Sequence, residues 1–460
     1  TRQLSSGPAP VRLSSFPGKD EAHRNVTIDV ARQQQEMLGF GHSWTDSAVS
    51  LFETLEPSFF NMVMEDLFGQ NGNNMAFMRH TVGSSDLSDT YYTYDDNGPV
   101  NQGKPDPGLL NFSLGAAGTR MADMIALMGD YKSDVTLCGS PWSAPGWMKK
   151  NGLLVADVHW SDDGTNNIAN NSFDPAYADE FANYLARYID AFQARGVNVN
   201  AISPMNEPLN SQGGYPCMYL GAEDEANLIV DALGSLMKER DVEIWAFDHN
   251  TDASFYPYQV LEKAQEYVQA VAWHCYALPA PDYSVLAEFR RRYPHIPQFM
   301  TECANYKPQA GTFNFQVAEN FMLSIKNGAS GATMWVMATD SYYGPHTPLA
   351  GCDGCLGSII VHSPTLYTKT NDYYMIGQFS RFIRRGAISY ATSDGGTAED
   401  LSDKEQFYTI AAQNPDGSWV IVFMNNYGQE QNVVLQFTGQ EEVFWQGVVP
   451  NATVVTWLLP

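Results

Sequence analysis

Residues 177–208, YADEFANYLARYIDAFQARGVNVNAISPMNEP, decide the fold. Their first twenty positions set Phe181, Tyr184, Leu185, Tyr188, Ile189 and Phe192 at spacings of three and four, the period of a helix that buries one face. After a short link, residues 201–206 form an apolar, strand-like run that closes on Glu207 and Pro208. A helix handing over to a short buried strand is one half of a βα unit, and the same alternation extends on both sides.

Outward from this stretch, strand-like runs fall near residues 39–45, 74–82, 136–140, 201–206, 243–248, 270–274, 298–301 and 331–336. Helical patterns separate them, among them 177–196, 226–240, 258–268 and 315–327. Eight strands with intervening helices predict an α/β chain whose core is a (β/α)₈ TIM barrel over residues 38–380. Beyond about residue 380 the pattern changes to alternation without helices: 406–413, the turn Asn414-Pro415-Asp416-Gly417-Ser418, then 419–425, 432–437, 443–446 and 453–459. Residues 25–30, within an N-terminal segment 1–37, are short and β-like as well. Segments 1–37 and 381–460 are therefore expected to build an appended β-sandwich together.

Composition bounds the function. With 44% apolar and 13% aromatic residues the chain can pack large cores. Its net charge of −26 repels phosphate backbones and anionic surfaces, which argues against nucleic acid as a partner. No apolar run reaches the ~18 residues of a membrane span. Thr1 in first place suggests a processed form, and Asn25, Asn111, Asn170 and Asn451 each open an Asn-X-Ser/Thr acceptor, so a secreted, extracellular glycoprotein is expected. Of six cysteines, Cys352 and Cys355 are expected to close a small loop by a disulfide, because no second Cys pair or His cluster stands nearby to complete a metal site.

Barrel enzymes carry their chemistry at the C-terminal ends of the strands. Two of the predicted strands end in glutamate: the fourth at Asn206-Glu207-Pro208 and the seventh at Thr301-Glu302-Cys303. A lone glutamate in such a place is usually a solvated loop residue. A pair from strands facing each other across the barrel mouth is what glycoside hydrolysis needs, and retention requires the two carboxyls ~5–5.5 Å apart. Asn206, beside the first glutamate, suits a sugar hydroxyl.

The chain resembles glycoside hydrolase family 30 in seven ordered segments. They are 39–46 (GFGHSWTD), 79–88 with Gly83-Ser84-Ser85-Asp86, 140–149 (SPWSAPGWMK), Asn206-Glu207-Pro208, Trp273-His274-Cys275-Tyr276, Thr301-Glu302-Cys303 and Trp335. The resemblance implies a retaining mechanism with Glu207 as general acid/base and Glu302 as nucleophile. It also implies that Tyr276 bonds the nucleophile, that Asn206 meets the 2-hydroxyl, and that Asp86, Trp142 and Trp335 line the sugar site. Arg79 is expected to keep Glu302 ionised, and a less polar pocket or the charge of Glu302 to raise the pKa of Glu207.

Alternatives stand beside these roles. Trp142 and Trp335 also fit barrel-wall packing, Arg79 a structural ion pair, and His274 the orientation of a neighbour. Asp248-His249-Asn250, closing the fifth strand, is placed either to touch substrate or, through Asn250, to cap a helix. Residues 83–88 followed by Tyr91-Tyr92-Thr93-Tyr94-Asp95-Asp96, together with Trp273-His274-Cys275-Tyr276-Ala277, look most like the endo-β-1,6-glucanase branch, where the tyrosines either stack on further sugars or serve structure. The expected partner is a polysaccharide, the expected state a monomer, and no cofactor or metal is implied. A xylan- or glucosylceramide-cleaving enzyme with the same glutamates is the second reading, and a non-catalytic carbohydrate-binding protein the third.

Overall fold

The computed structural model describes residues 6–15, 23–98, 103–159, 166–307, 315–393, 406–440 and 443–460. Eight parallel strands close on themselves: β1 (Gly39–Trp44), β2 (Phe77–Val82), β3 (Thr136–Pro141), β4 (Ala201–Ile202), β5 (Glu243–Asn250), β6 (Val268–His274), β7 (Gln298–Glu302) and β8 (Gly331–Val336), with β8 paired back to β1. Each lies where the sequence expects one. Only β4 is much shorter than its predicted run, because Pro204 has no N–H to give to a ladder. The chain nonetheless stays beside β3 through bonds from Ser203 N to Gly139 O (2.9 Å) and from Asn206 N to Pro141 O (2.8 Å). Contact between β1 and β2 depends on Gly41, where a Cβ would sit 2.0 Å from Phe77 O.

The helix Ala178–Gln193 buries all six residues of its predicted stripe against the barrel. Residues 226–240, predicted as one helix, are broken: Ala222–Leu228, a wider π turn at Ile229–Leu233, then Gly234–Glu239. Gly234 packs under the Tyr267 ring, where a Cβ would come within 2.5 Å. The predicted 258–268 segment is observed at Phe255–Ala264, and its last residue opens β6 instead. Beyond β8 a three-stranded sheet, Ala338–Asp340, Ile359–Ser363 and Leu366–Lys369, stands beside the barrel mouth.

The other strands form a β-sandwich from both ends of the chain. They run in the order Val11–Leu13, Phe444–Val449, Gln431–Phe437, His23–Glu36, Ile388–Ser393, Gln406–Gln413, Trp419–Asn426 and Thr453–Leu459. His23–Glu36 and Ile388–Ser393 pair through two register shifts, which bend the sheet over its own core of Val26, Ile28, Phe423, Leu435 and Trp457. Gly447, near one end of that order, meets the ring of Trp457 from the other, where a Cβ would be 2.5 Å from the indole. Asn25, Asn111, Asn170 and Asn451 are all exposed. Among the described residues no helix is long and apolar enough to cross a membrane.

Candidate active site

The C-terminal ends of the strands converge on Arg79 of β2, which is fully buried. Its guanidinium donates to Glu302 Oε2 (2.6 Å), Asn206 Oδ1 (2.7 Å) and Asp248 Oδ2 (2.8 Å), so one planar fork ties β2 to the ends of β4, β5 and β7. Trp142 and Trp335 stack on each other at 4.7 Å, and Arg79 lies 4.9 Å from the Trp142 ring centre and 5.9 Å from that of Trp335. These tryptophans pack on the arginine and line the cavity above it.

Asp248 does not reach that cavity. It lies beneath the site, accepting from Arg79, Ser140 Oγ (2.7 Å) and Thr301 Oγ1 (2.6 Å), with His274 Nε2 2.9 Å from Oδ1. His274 bridges two carboxyls: its other nitrogen is 3.3 Å from Glu207 Oε1. Glu302 receives a second donor, Tyr276 Oη, at 2.9 Å. Asn250 makes no capping bond through its side chain; its Oδ1 accepts from Tyr276 N at 2.9 Å and fixes that tyrosine's backbone.

Atoms of Glu207, His274 and Glu302 all lie within 4.8 Å of one another. An approach this close fits the spacing class of retaining glycosidases, ~5–5.5 Å, better than the wider inverting class. The same three groups have the chemistry of metal ligands. However, the positive charge they need is already built in, since Arg79 touches Glu302 and His274 is raised to about 9: burial opposes its protonation, and Glu302 and Asp248 outweigh burial.

The carboxyl pKa values run opposite to the order expected from the sequence. Burial holds Glu302 above the usual range against the pull of His274 and Arg79, with Glu207 and Asp248 adding to the rise. Burial works the same way on Glu207, but His249 and His274 overcome it and hold that carboxyl well below its usual range. The reason is spatial: two histidines from β5 and β6 face Glu207, and no spacing in the sequence brings them there. Asp86 is raised to about 7 by burial and by the charges of Glu302 and Glu207.

A cavity of about 400 Å³ opens above the pair. Asp86, Trp142, Asn206, Tyr276 and Trp335 line it with both glutamates, while Arg79 and His274 support it from beneath. Its wall also contains residues the sequence did not single out: Asn210, which donates to Glu207 Oε2 at 2.9 Å, Tyr215 and Tyr306. The tyrosine-rich loop is held by contacts within the protein. Tyr92 bonds Asp46, Tyr94 is buried against Tyr184, and Tyr91 bonds Gly214 O, whereas Tyr306, 48% exposed, is an aromatic at the rim. Cys352 and Cys355 form the expected disulfide beside the cavity. A second one, Cys275–Cys303, staples β6 to β7 next to Tyr276 and Glu302; fifteen pairings were open in the sequence, and only the parallel register brings this one together.

A parallel (β/α)₈ barrel with carboxyls from its fourth and seventh strands meeting over a cavity walled by tryptophan and amides defines a glycoside hydrolase. The family follows from comparison with known proteins. The glycosyl hydrolase family 30 TIM-barrel domain matches residues 37–383 and the family's β-sandwich domain residues 393–457, so this chain belongs to glycosyl hydrolase family 30. It is 40% identical over 475 residues to an endo-1,6-β-D-glucanase of Aspergillus fumigatus and 41% identical over 466 residues to one of Neurospora crassa, covering 100% of this chain and 92% of each relative. The solved structure of an endo-β1,6-glucanase superposes with a TM-score of 0.80 at 24% identity, over 95% of this chain and 94% of that one, which shows the shared fold.

Proposed function

We propose that this chain is a secreted, endo-acting β-1,6-glucan hydrolase that retains anomeric configuration, with Glu302 as nucleophile and Glu207 as general acid and base. The observation that carries the mechanism is the approach of the two carboxyls within 4.8 Å over one cavity. The linkage is supported by full-length identity of about 40% to enzymes named for it.

In the first step a Glu302 oxygen bonds to the anomeric carbon, the glycosidic C–O bond breaks, and the proton of Glu207 passes to the departing oxygen. Arg79 at 2.6 Å and Tyr276 at 2.9 Å both stabilise Glu302 as an anion once the proton resides on Glu207. In the second step Glu207 takes a proton from water, whose oxygen replaces Glu302 at that carbon. The low pKa imposed by His249 and His274 suits this half of the cycle, when the ester has removed the charge of Glu302 and Glu207 must be a carboxylate.

A single panel tests the reading: β-1,6-glucan, xylan and glucosylceramide, with product lengths and product anomer recorded. Gentio-oligosaccharides of mixed length, released as the β anomer from β-1,6-glucan alone, are expected. Glucose as sole product defeats endo action, and cleavage restricted to xylan or glucosylceramide defeats the linkage.

A further inference from the structure

The acid/base carboxyl has more polar neighbours than it uses. Asn210 Nδ2 holds Oε2 at 2.9 Å, and His274 Nδ1 lies 3.3 Å from Oε1. His249 Nδ1 also approaches Oε1, at 3.7 Å, beyond hydrogen-bond distance. That nitrogen is buried and has no hydrogen-bond partner in the protein, a condition that costs free energy in every folded molecule.

Backbone strain puts it there. Phe247 and Asp248 are consecutive non-glycine residues with φ of 84° and 58°, and the pairing of β5 with β6 shifts register between Phe247 and His249. In a regular strand Asp248 and His249 would point to opposite faces. The irregularity turns both toward the acid, Asp248 beneath His274 and His249 to the wall of the cavity beside Glu207. Glu207 is itself in the left-handed region, with φ of 45°, and its N–H donates to Asp248 O at 3.0 Å, so the strained ends of β4 and β5 are bonded to each other. Strain of this kind persists where surrounding structure enforces it and collects at functional sites.

We propose that His249 is a positioning residue for Glu207, closing from 3.7 Å onto Oε1 when sugar fills the cavity and aiming the carboxyl at the oxygen of the leaving sugar. Catalytic hydrogen bonds are often long in the free enzyme and tighten in the substrate complex. The inference rests on Glu207 being the proton donor.

The test separates leaving groups that need a proton from one that does not. kcat/KM is measured for gentiotetraose, whose leaving group is a sugar alkoxide, and for 2,4-dinitrophenyl β-gentiobioside, whose leaving group departs unaided. His249→Ala is expected to lower kcat/KM about 30-fold on the tetraose and less than about 3-fold on the aryl substrate, since only proton donation is impaired. His249→Asn, which keeps a donor near the position of Nδ1, is expected within about 5-fold of wild type on both. Equal losses on both substrates, or none on the tetraose, overturn the proposal. Glu207→Gln in the same assay keeps the two ideas apart: it must show the larger split. A split there without one in His249→Ala removes His249 alone, while no split in either removes the proton donor and its positioning residue together. If wild type cleaves only xylan, xylotetraose and 2,4-dinitrophenyl β-xylobioside replace the pair with the same criteria.

Discussion

The two ends of the barrel are built by the same strands to opposite purposes. At the N-terminal end Phe77 of β2, Trp245 of β5 and Phe299 of β7 fill the interior, Trp245 and Phe299 stacked at 4.2 Å. A few residues along, those strands present Arg79, Asp248 and Glu302, joined by bonds of 2.6–2.8 Å. The apolar end has one irregularity, a register shift of β5 against β6 between Ile244 and Trp245, beside the stacked rings. At the polar end the register shifts, between Phe247 and His249 against β6 and between Trp273 and His274 against β7, so that neighbouring side chains turn to the same side. Both ends accommodate a shift, but only at the polar end does it bring two adjacent side chains, Asp248 and His249, to bear on one carboxyl network. A cavity of about 960 Å³ lies at the N-terminal end around Glu243, Trp245 and Arg290, where barrels carry stability rather than chemistry.

This contrast is open to attack from both ends. The largest effect belongs to the carboxyls: Glu302→Gln and Glu207→Gln are each expected to lower turnover on the natural substrate by about 10⁴-fold or more while melting temperature stays within about 2 °C, because neutral isosteres remove a bond-forming or proton-transfer step and little packing. Near-normal activity in either variant removes that residue from its role. Next comes Arg79→Ala, which leaves Asp248 and Glu302 buried without their cation and is expected to cost about 3–5 kcal/mol in urea unfolding, with activity lost as well. Stability within about 1 kcal/mol of wild type would show that water or a shifted proton compensates the two acids.

Phe299→Ala, at the other end of the strand that carries Glu302, should cost about 3–4 kcal/mol by cavity formation yet change kcat/KM less than about 3-fold at a temperature where the variant is folded. A larger kinetic effect would mean that the two ends are coupled along β7, which would break the comparison.

The smallest effect is a pH dependence of stability. Asp86, Glu225 and Asp372 are raised to about 7 and Asp46 to about 6, burial being the largest cause in each. A carboxyl with a raised folded pKa stabilises the fold fully below its ordinary value and loses that contribution as pH climbs through the folded one. Buried His42 and His80, lowered to about 3, act in the opposite sense between there and their ordinary value. Four carboxyls against two histidines leave a net loss, so the melting temperature is expected to be roughly 5 °C lower at pH 7 than at about pH 4.5. A melting curve that rises over that interval would place those acids as anions.

Much of the site could be read from the chain because strand ends are local. Glu207, Asn206, Glu302 and Tyr276 each follow a short apolar run, and the chemistry of a facing pair follows from barrel geometry alone. Asp248, Asn210 and His249 were harder, since each acts through a partner distant in sequence: Asp248 through Arg79, 169 positions away, and His249 through Glu207. The two readings of the tyrosine loop after Asp86 could not be separated in the sequence for the same reason, since Tyr92 and Tyr94 meet Asp46 and Tyr184 only in the fold.

By itself the sequence determined where the eight barrel strands fall, how many units the barrel has, and which two glutamates close its fourth and seventh strands, because periodicity and strand ends are properties of neighbouring residues. Only the tertiary structure decided the protonation bias of those glutamates, the Arg79 fork and the Cys275–Cys303 staple. Those depend on burial and on register between strands, and both exist only once the barrel has closed.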